Sequence, residues 1–492
     1  MKLIAKSMLV MGMVMSLTAC KKESKLNPIP TSLISDASAY DSPDRIATLV
    51  NGLYATFKGS GFFGTQYIYY SEARSGDFIS TNLNPTRGGL TYQMTVDPGI
   101  SDVSAVWTQG YQIINACNVF ISSMEEKGIK VLTPQIANNY LAEARFLRGL
   151  SYYYLLQLYA EPFTKNNGQG KGLPLRLTPN KGLAEYNLAR SSVAEVYKQI
   201  ITDLDYAEAN LPANYSSAAL NTTRAHVNTV ISAKTNVYLS MGDYANVIKE
   251  ADKIVPATAP FVAPTGVKNA LQTEVTAIFK APYTTTESVF SMPFSNTDVP
   301  GTSLANAYLP DGANATGLGS AGTGDFYLFE GGIVSDPLWK TTDKRRALVF
   351  TTIAGGNKGR QWSTKYATGS PYTDYVPVIR YAEVLLNLAE ALANVNGVDS
   401  RSLALLNAVR QRADQTTTLT ASSQPELISK IIHERHIEFL GEGIRNADLM
   451  RLKLSVPAKT PLGSSPVPQI NPENPNYLWP IPNTESLYNK DI

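Results

Sequence analysis

Cysteine and histidine are nearly absent: two and three respectively in 492 residues. With only Cys20 and Cys117, no disulfide framework can be built. So few thiols and imidazoles also leave little material for a transition-metal site or a nucleophile with a neighbouring base. An excess of charge of one sign is missing too, since 43 basic side chains face 41 acidic ones. Phosphate binding needs clustered positive charge, so nucleic acid is not expected as a partner. Beyond residue 19, no apolar run reaches the roughly 20 residues that a membrane helix requires.

The N-terminal stretch carries its own signal. Lys2 and Lys6 precede an apolar run from Met8 to Ala19, which ends in Leu17-Thr18-Ala19-Cys20. A positive flank, a short apolar core and a small-residue cleavage site predict a secretory signal peptide over residues 1–19. The last four residues resemble the bacterial lipobox, in which the cysteine sulfur receives a diacylglycerol. Cys20 is therefore expected to be lipidated, with polar residues 20–40 as a tether to a body spanning 41–492. Removing Lys2 and Lys6 leaves 41 basic against 41 acidic side chains. Cys117, in the apolar-periodic run Trp107 to Ile121, reads as a small core residue.

Helical periodicity dominates two blocks, 41–255 and 376–492, separated by a loop-rich region at 256–375. In "YLAEARFLRGLSYYYLLQLYAEPF" (140–163), apolar positions recur at steps of three and four until Pro162. Ser192 is a candidate N-cap for 191–212, and Gly242-Asp243 divides 225–255 into a helix pair. The second block contains "VIRYAEVLLNLAEALANVNG" (378–397), "RSLALLNAVRQRA" (401–413), "QPELISKIIHERHIEFLGEG" (424–443) and "RNADLMRLK" (445–453). The spacing predicts a mainly α fold of tetratricopeptide-like helix pairs without a strict repeat, with long irregular loops and a few short strands. "SVFSMPF" (288–294) is one such strand, and 58–100 reads as a loop insertion.

Catalytic motifs fail on geometry. Gly59 to Gly64 and Gly317 to Gly322 both match Gly-x-Gly-x-x-Gly, but neither follows a strand and opens a helix. His433-Glu434-Arg435-His436 spaces its histidines at i and i+3, not the i and i+4 that zinc binding on a helix needs. Glu434, Arg435, Glu438 and Glu442 read instead as structural ion pairs. Asp77, Asp325, Glu330 and Asp336 lie in loops near aromatics, the raw material of a glycosidase carboxyl pair. No metal or cofactor is predicted. Without EF-hand spacing, calcium is not predicted either, although loop carboxylates and carbonyls are the donors an irregular site would use.

Aromatic loops are abundant. Tyr69, Tyr70 and Tyr92 surround Arg74 and Asp77 in the first insertion, and Tyr283, Tyr308, Tyr327, Trp339 and Trp362 populate the second. Exposed rings beside hydrogen-bonding side chains suit sugars, whose faces are apolar and whose edges are hydroxyls. These ten residues are the candidate ligand contacts; about a third are expected to touch ligand, the rest to anchor loops.

"AEARFLRGLSYYYLLQLYAEPF", "YLSMGDYANVIKEADKIV", "VIRYAEVLLNLAEALANVNG", "LLNAVRQRA", "ERHIEFLGEGIRNADLMRL" and "YLWPIP" together resemble the signatures of the SusD/RagB family of outer-membrane lipoproteins, in the family's order and across the mature chain. The resemblance implies a non-catalytic receptor on four helix pairs that captures oligosaccharides and passes them to a TonB-dependent transporter. It implies scaffold or partner-facing roles for Glu143, Arg145, Arg148, Arg380, Glu383, Glu434, Arg435, Glu438, Gly443, Arg445 and Asp448. Asn446-Ala447 departs from the family, which usually has aromatics there. Lys21-Lys22-Glu23 departs from the acidic run that accompanies surface export, so an exterior location is expected with the periplasmic face as the alternative. An oligopeptide receptor, a glycoside hydrolase and a pure interaction scaffold are the competing readings. Cys20→Ala should leave a soluble precursor and abolish membrane retention; fractionation that finds the variant still in the outer membrane would overturn the lipobox assignment.

Overall fold

The computed structural model describes residues 38–492, apart from 183–185, 302, 313 and 462–465. The signal peptide, Cys20 and most of the tether lie outside the described residues. Among the described residues, no helix is long and apolar enough to cross a membrane.

Helices build the scaffold in chain order: α1 (Pro43–Phe57), α2 (Gln66–Ala73), α3 (Ser101–Glu126), α4 (Pro134–Tyr159), α5 (Val193–Asn210), α6 (Val227–Met241), α7 (Tyr244–Ala251), α8 (Tyr381–Asn396), α9 (Ser400–Ala413), α10 (Gln424–Glu438) and α11 (Arg445–Arg451). Each long helix packs on its successor from α3 to α7, and α6 and α7 then hand over to α8, which carries α9 and α10. The protein is therefore mainly α, a stack of sequential helices with irregular segments laid over it.

Local chemistry sets the helix ends. Ser192 and Glu195 close a capping box at the start of α5, each satisfying the other's backbone N–H. Gly242 stands at φ +71°, a conformation that costs glycine nothing, and Asp243 caps α7 through the N–H of Asn246. Central helix α4 is buried from Leu141 almost without a break, because α1, α3 and α5 cover it on several sides. Cys117 is buried on α3, and burial pushes its thiol up to about 12.

Two expectations need correction. Residues 66–73 form a helix rather than part of a loop: seven of its eight side chains are buried, so it shows no amphipathic period to read. Val378 to Arg380 belong to a strand, and the following helix starts at Tyr381. This strand, β6 (Val376–Arg380), pairs antiparallel with β2 (Ser288–Met292) and pins the loop-rich region to the scaffold. A second, four-stranded sheet has the order β1 (Phe78–Ser80), β3 (Phe326–Leu328), β5 (Gln361–Ser363), β4 (Val349–Thr351), which ties the two insertions together.

Ion pairs make the deepest join. Arg345 reaches Glu434 at 2.7 Å and Glu438 at 2.8 Å, and Arg380 reaches Glu438 at 2.8 Å and Glu442 at 2.7 Å. Arg412 bridges Glu287 and Glu438, Arg410 binds Glu434 and Asp343, and Lys365 binds Glu442. All ten side chains are buried, five cations against five carboxylates. Burial alone would raise the Glu438 pKa, but Arg412, Arg380 and Arg345 outweigh it and hold the carboxyl well below its usual range.

Past α11 the tail folds back over the molecule. Trp479 N–H donates to the Leu158 carbonyl at the end of α4, and Asn483 N–H donates to Pro98. Bridges Val456–Ile470 and Lys459–Val467 hold a loop whose Lys459 enters the interior. Its ammonium donates to the carbonyls of Ala73 (2.8 Å) and Tyr92 (3.0 Å) and sits 4.1 Å above the Tyr92 ring. Burial, reinforced by the nearby Arg74 cation, lowers its pKa to about 7.

Arg380→Ala strands Glu438 and Glu442 and should cost about 3–5 kcal/mol in denaturant unfolding; a loss within experimental error would remove the network from the stability of the fold. Lys459 gives up its proton near pH 7 when folded but keeps it to about 10.4 when unfolded. Between those values the unfolded chain holds the extra proton, so stability rises with pH. Wild type should gain on Lys459→Met by up to about 1.4 kcal/mol per pH unit between pH 7 and 10, whereas a gap that does not change with pH would contradict the lowered pKa of the buried Lys459.

Candidate ligand-binding face

Most of the sequence-predicted contacts are structural. Tyr69 lies against Tyr70 (4.4 Å between ring centroids) and Phe326, and Tyr70 donates to Asp102 Oδ1 at 2.9 Å. Arg74 Nε donates to Asn446 Oδ1 at 3.2 Å, and its Nη2 donates to the Tyr477 carbonyl. Asp77 takes the His436 ring at 2.6 Å and the Ile333 N–H at 3.1 Å. Tyr92 lies under Lys459, Tyr308 stacks on Phe78 at 5.0 Å, and Trp362 donates to Thr352 Oγ1 while packing on Tyr327. Trp339 is covered by the Arg346 guanidinium at 4.1 Å. All nine are buried, so the expectation of exposed rings is corrected for Tyr69, Tyr70, Tyr92, Tyr308, Tyr327, Trp339 and Trp362, as is that of accessible polar groups for Arg74 and Asp77. The physical reason is common to the rings: the insertions carry only short helices and strands with few hydrogen bonds of their own, and large rings supply the apolar area that holds them to the scaffold.

Tyr283 is the exception. It is half-buried and stacks on Tyr375, with ring centroids 4.8 Å apart and planes within 16°. Its hydroxyl donates to Asp374 Oδ1 at 3.0 Å, and Asp374 also accepts the Thr368 hydroxyl and the Thr368 N–H. Tyr372, likewise half-buried, donates to Asn306 Oδ1 at 3.0 Å. Tyr283 and Tyr372 stand at φ +62° and +63°, a region in which bulky residues are strained and which concentrates at functional sites. Tyr375, the stacking partner of Tyr283, is the residue that sequence reasoning did not single out. The echo of Ala281-Pro282-Tyr283-Thr284 in Ser370-Pro371-Tyr372-Thr373 was the available signal.

The platform also has a position relative to the N-terminal end. Ser38 lies at the start of α1, where its carbonyl accepts from Arg45. At the other end of α1, about 22 Å along a 15-residue helix, Lys58 pairs with Asp298 and lies over Phe294. Phe294 shares a small hollow with Tyr372 and Asp374. Through Asp374, the aromatic pair thus lies toward the C-terminal end of α1.

Three of the four carboxylates considered for hydrolysis are committed elsewhere. Asp77 is held by His436, Asp325 accepts from Arg87 at 2.6 Å and from Thr323 at 2.8 Å, and Asp336 accepts the Leu338 N–H and faces His433 at 3.8 Å. The two helix-borne histidines therefore address different carboxylates. Among the described residues, no group of three or more histidine, cysteine or acidic side chains could hold a metal ion. Asn446, where the family resemblance leads one to expect an aromatic, is buried and links Arg74 to the Gln157 carbonyl.

Comparison with known proteins agrees with this architecture. A profile described as "SusD family" matches residues 341–492, and one described as "Starch-binding associating with outer membrane" matches residues 27–239. SusD-like protein P2 of Formosa agariphila is 27% identical over 98% of this chain and 97% of its own length. The crystal structure of a SusD superfamily protein from Bacteroides fragilis is 30% identical, covers 92% of this chain and 99% of its own, and superposes with a TM-score of 0.79. A laminarin-binding SusD-like protein, 19% identical over 91% of this chain and 98% of its own, has the same fold at a TM-score of 0.71. With sequence likeness and fold agreeing along nearly the whole chain, the protein belongs to the SusD family.

Proposed function

We propose that the protein is a non-catalytic glycan receptor, held to the outer membrane by lipid on Cys20, which captures oligosaccharides and delivers them to a TonB-dependent transporter. The observation that carries the reading is the half-buried Tyr283–Tyr375 pair with Asp374 and Thr368 at its edge. An apolar ring face beside oriented oxygens matches the two kinds of surface a sugar presents. The starch-binding description of the matching profile and the laminarin bound by a protein of the same fold support the ligand class. Transporter partnership rests on family membership, and the outer-membrane address on the lipobox and the profile's description. A platform away from the tethered end of α1 suits a receptor that must face its medium rather than its membrane.

Calorimetric titration of the mature chain with laminarin, starch and other neutral polysaccharides tests the reading, each sugar being checked afterwards for cleavage. Tyr283→Ala and Tyr375→Ala should each weaken the responding glycan at least about ten-fold, the loss typical of a hot-spot aromatic. Tyr488→Ala, 74% exposed on the tail, should not. Absence of saturable heat with every glycan, or recovery of cleaved product, would overturn the assignment.

A further inference from the structure

The returning tail leaves two adjoining hollows against the end of α4, of about 330 and 470 Å³, which share Glu161, Pro475 and Leu478. Their charged lining is uneven, with Lys165, Lys171, Lys453 and Arg190 facing only Glu161 and Glu473. Lys165 takes both carboxylates, at 3.1 and 3.2 Å. Among the described residues, Lys171, Lys453 and Arg190 are left with no carboxylate partner within ion-pair distance; Lys453 has only the Thr164 carbonyl at 3.5 Å. Arg190 spends its donors on the carbonyls of Gly172, Tyr159 and Lys171, which fixes its guanidinium without neutralising it. The buried indole N–H of Trp479, in the wall of the larger hollow, has no acceptor among the described residues. Pro475, Leu478 and Ile481 supply apolar surface beside these donors.

We propose that these hollows form a second binding groove, separate from the Tyr283 platform, for a saccharide bearing carboxylate or sulfate groups. The sugar class rests on the glycan-receptor reading; the charge comes from the groove itself. Apolar floor and unneutralised cations side by side match an acidic sugar, with its apolar ring face and anionic edge. A neutral glycan would leave the cations unpaired and gain nothing from them. Lys171 and Lys453 are exposed, so they can reach a ligand, and their removal should not disturb the core.

Titration of the mature chain with oligogalacturonate, with a sulfated oligosaccharide and with neutral laminarin, at low and at physiological salt, tests the groove. Binding of either anionic sugar should weaken steeply with salt. It should fall about ten-fold or more in a Lys171→Gln/Lys453→Gln variant and survive in Tyr283→Ala. The laminarin response should show the reverse pattern. A response to only one of the anionic sugars would fix whether carboxylate or sulfate is recognised. Anionic binding that is unchanged in the double-lysine variant, or absent while laminarin binds, would overturn the groove alone. Failure of every sugar would overturn the receptor reading and the groove with it.

Discussion

Ten charged side chains that cannot leave the interior separately set the terms for the rest of the molecule. Glu287, Asp343, Arg345 and Lys365 come from the loop-rich region, and Arg380 stands where β6 meets α8. Arg410, Arg412, Glu434, Glu438 and Glu442 come from the C-terminal helices and the turn after them. Bringing them out of water costs several kcal/mol per ion, and only their mutual contact offsets that cost. The pairs are not independent, because Glu438 is shared by Arg345, Arg380 and Arg412. The consequence is a fixed register between a segment with little regular structure and the helical stack beneath it. Hydrophobic burial alone would leave such a segment free to slide, whereas paired charges do not tolerate a shift of one residue.

The same logic explains why so many aromatic residues of the insertions ended up inside. Sequence made the helical stack legible, because α5 and α7 carry a 3.6-residue period and α4 to α7 are bounded by caps and stops at their ends. It failed for α2, where Tyr67 to Ala73 are buried all round and no polar face marks the turn of the helix. It failed again at Val378 to Arg380, because the apolar run passes from strand to helix without a break and only the pairing with β2 separates them. The ion pairs of Glu434, Arg435, Glu438 and Glu442 were legible as charges on one helix and the turn that follows it. Their partners Arg345 and Lys365, some 70–90 residues away, were not.

Site residues were less legible still, for a reason that is chemical rather than statistical. A tyrosine that stacks on a ligand and one that pins a loop have the same composition and the same neighbours in sequence. Tyr308 and Tyr283 both lie in the loop-rich region beside polar residues. One is sealed between Phe78 and Tyr366 with no partner for its hydroxyl among the described residues, and the other holds a surface position through Asp374. What separates them is backbone conformation. Tyr283 and Tyr372 sit in the left-handed region, each immediately after a proline, and the loops that carry them are cross-linked by the Tyr283 hydroxyl.

That cross-link bears on how such a surface recognises anything. A pair of rings on two loops of a protein with few regular strands would wander unless the loops were held from below. Asp374 does this by accepting from Tyr283, from the Thr368 hydroxyl and from the Thr368 N–H, while Tyr372 is tied to Asn306. Asp374 is itself buried beside β6, whose last residue, Arg380, is a hub of the ion network. Rigidity therefore passes from paired charges in the core, through a five-residue strand, to one carboxylate and then to two rings at the surface. Pre-organisation of this kind spares a ligand the entropy of ordering its own site, which is how a small platform on irregular loops can bind without a deep cavity.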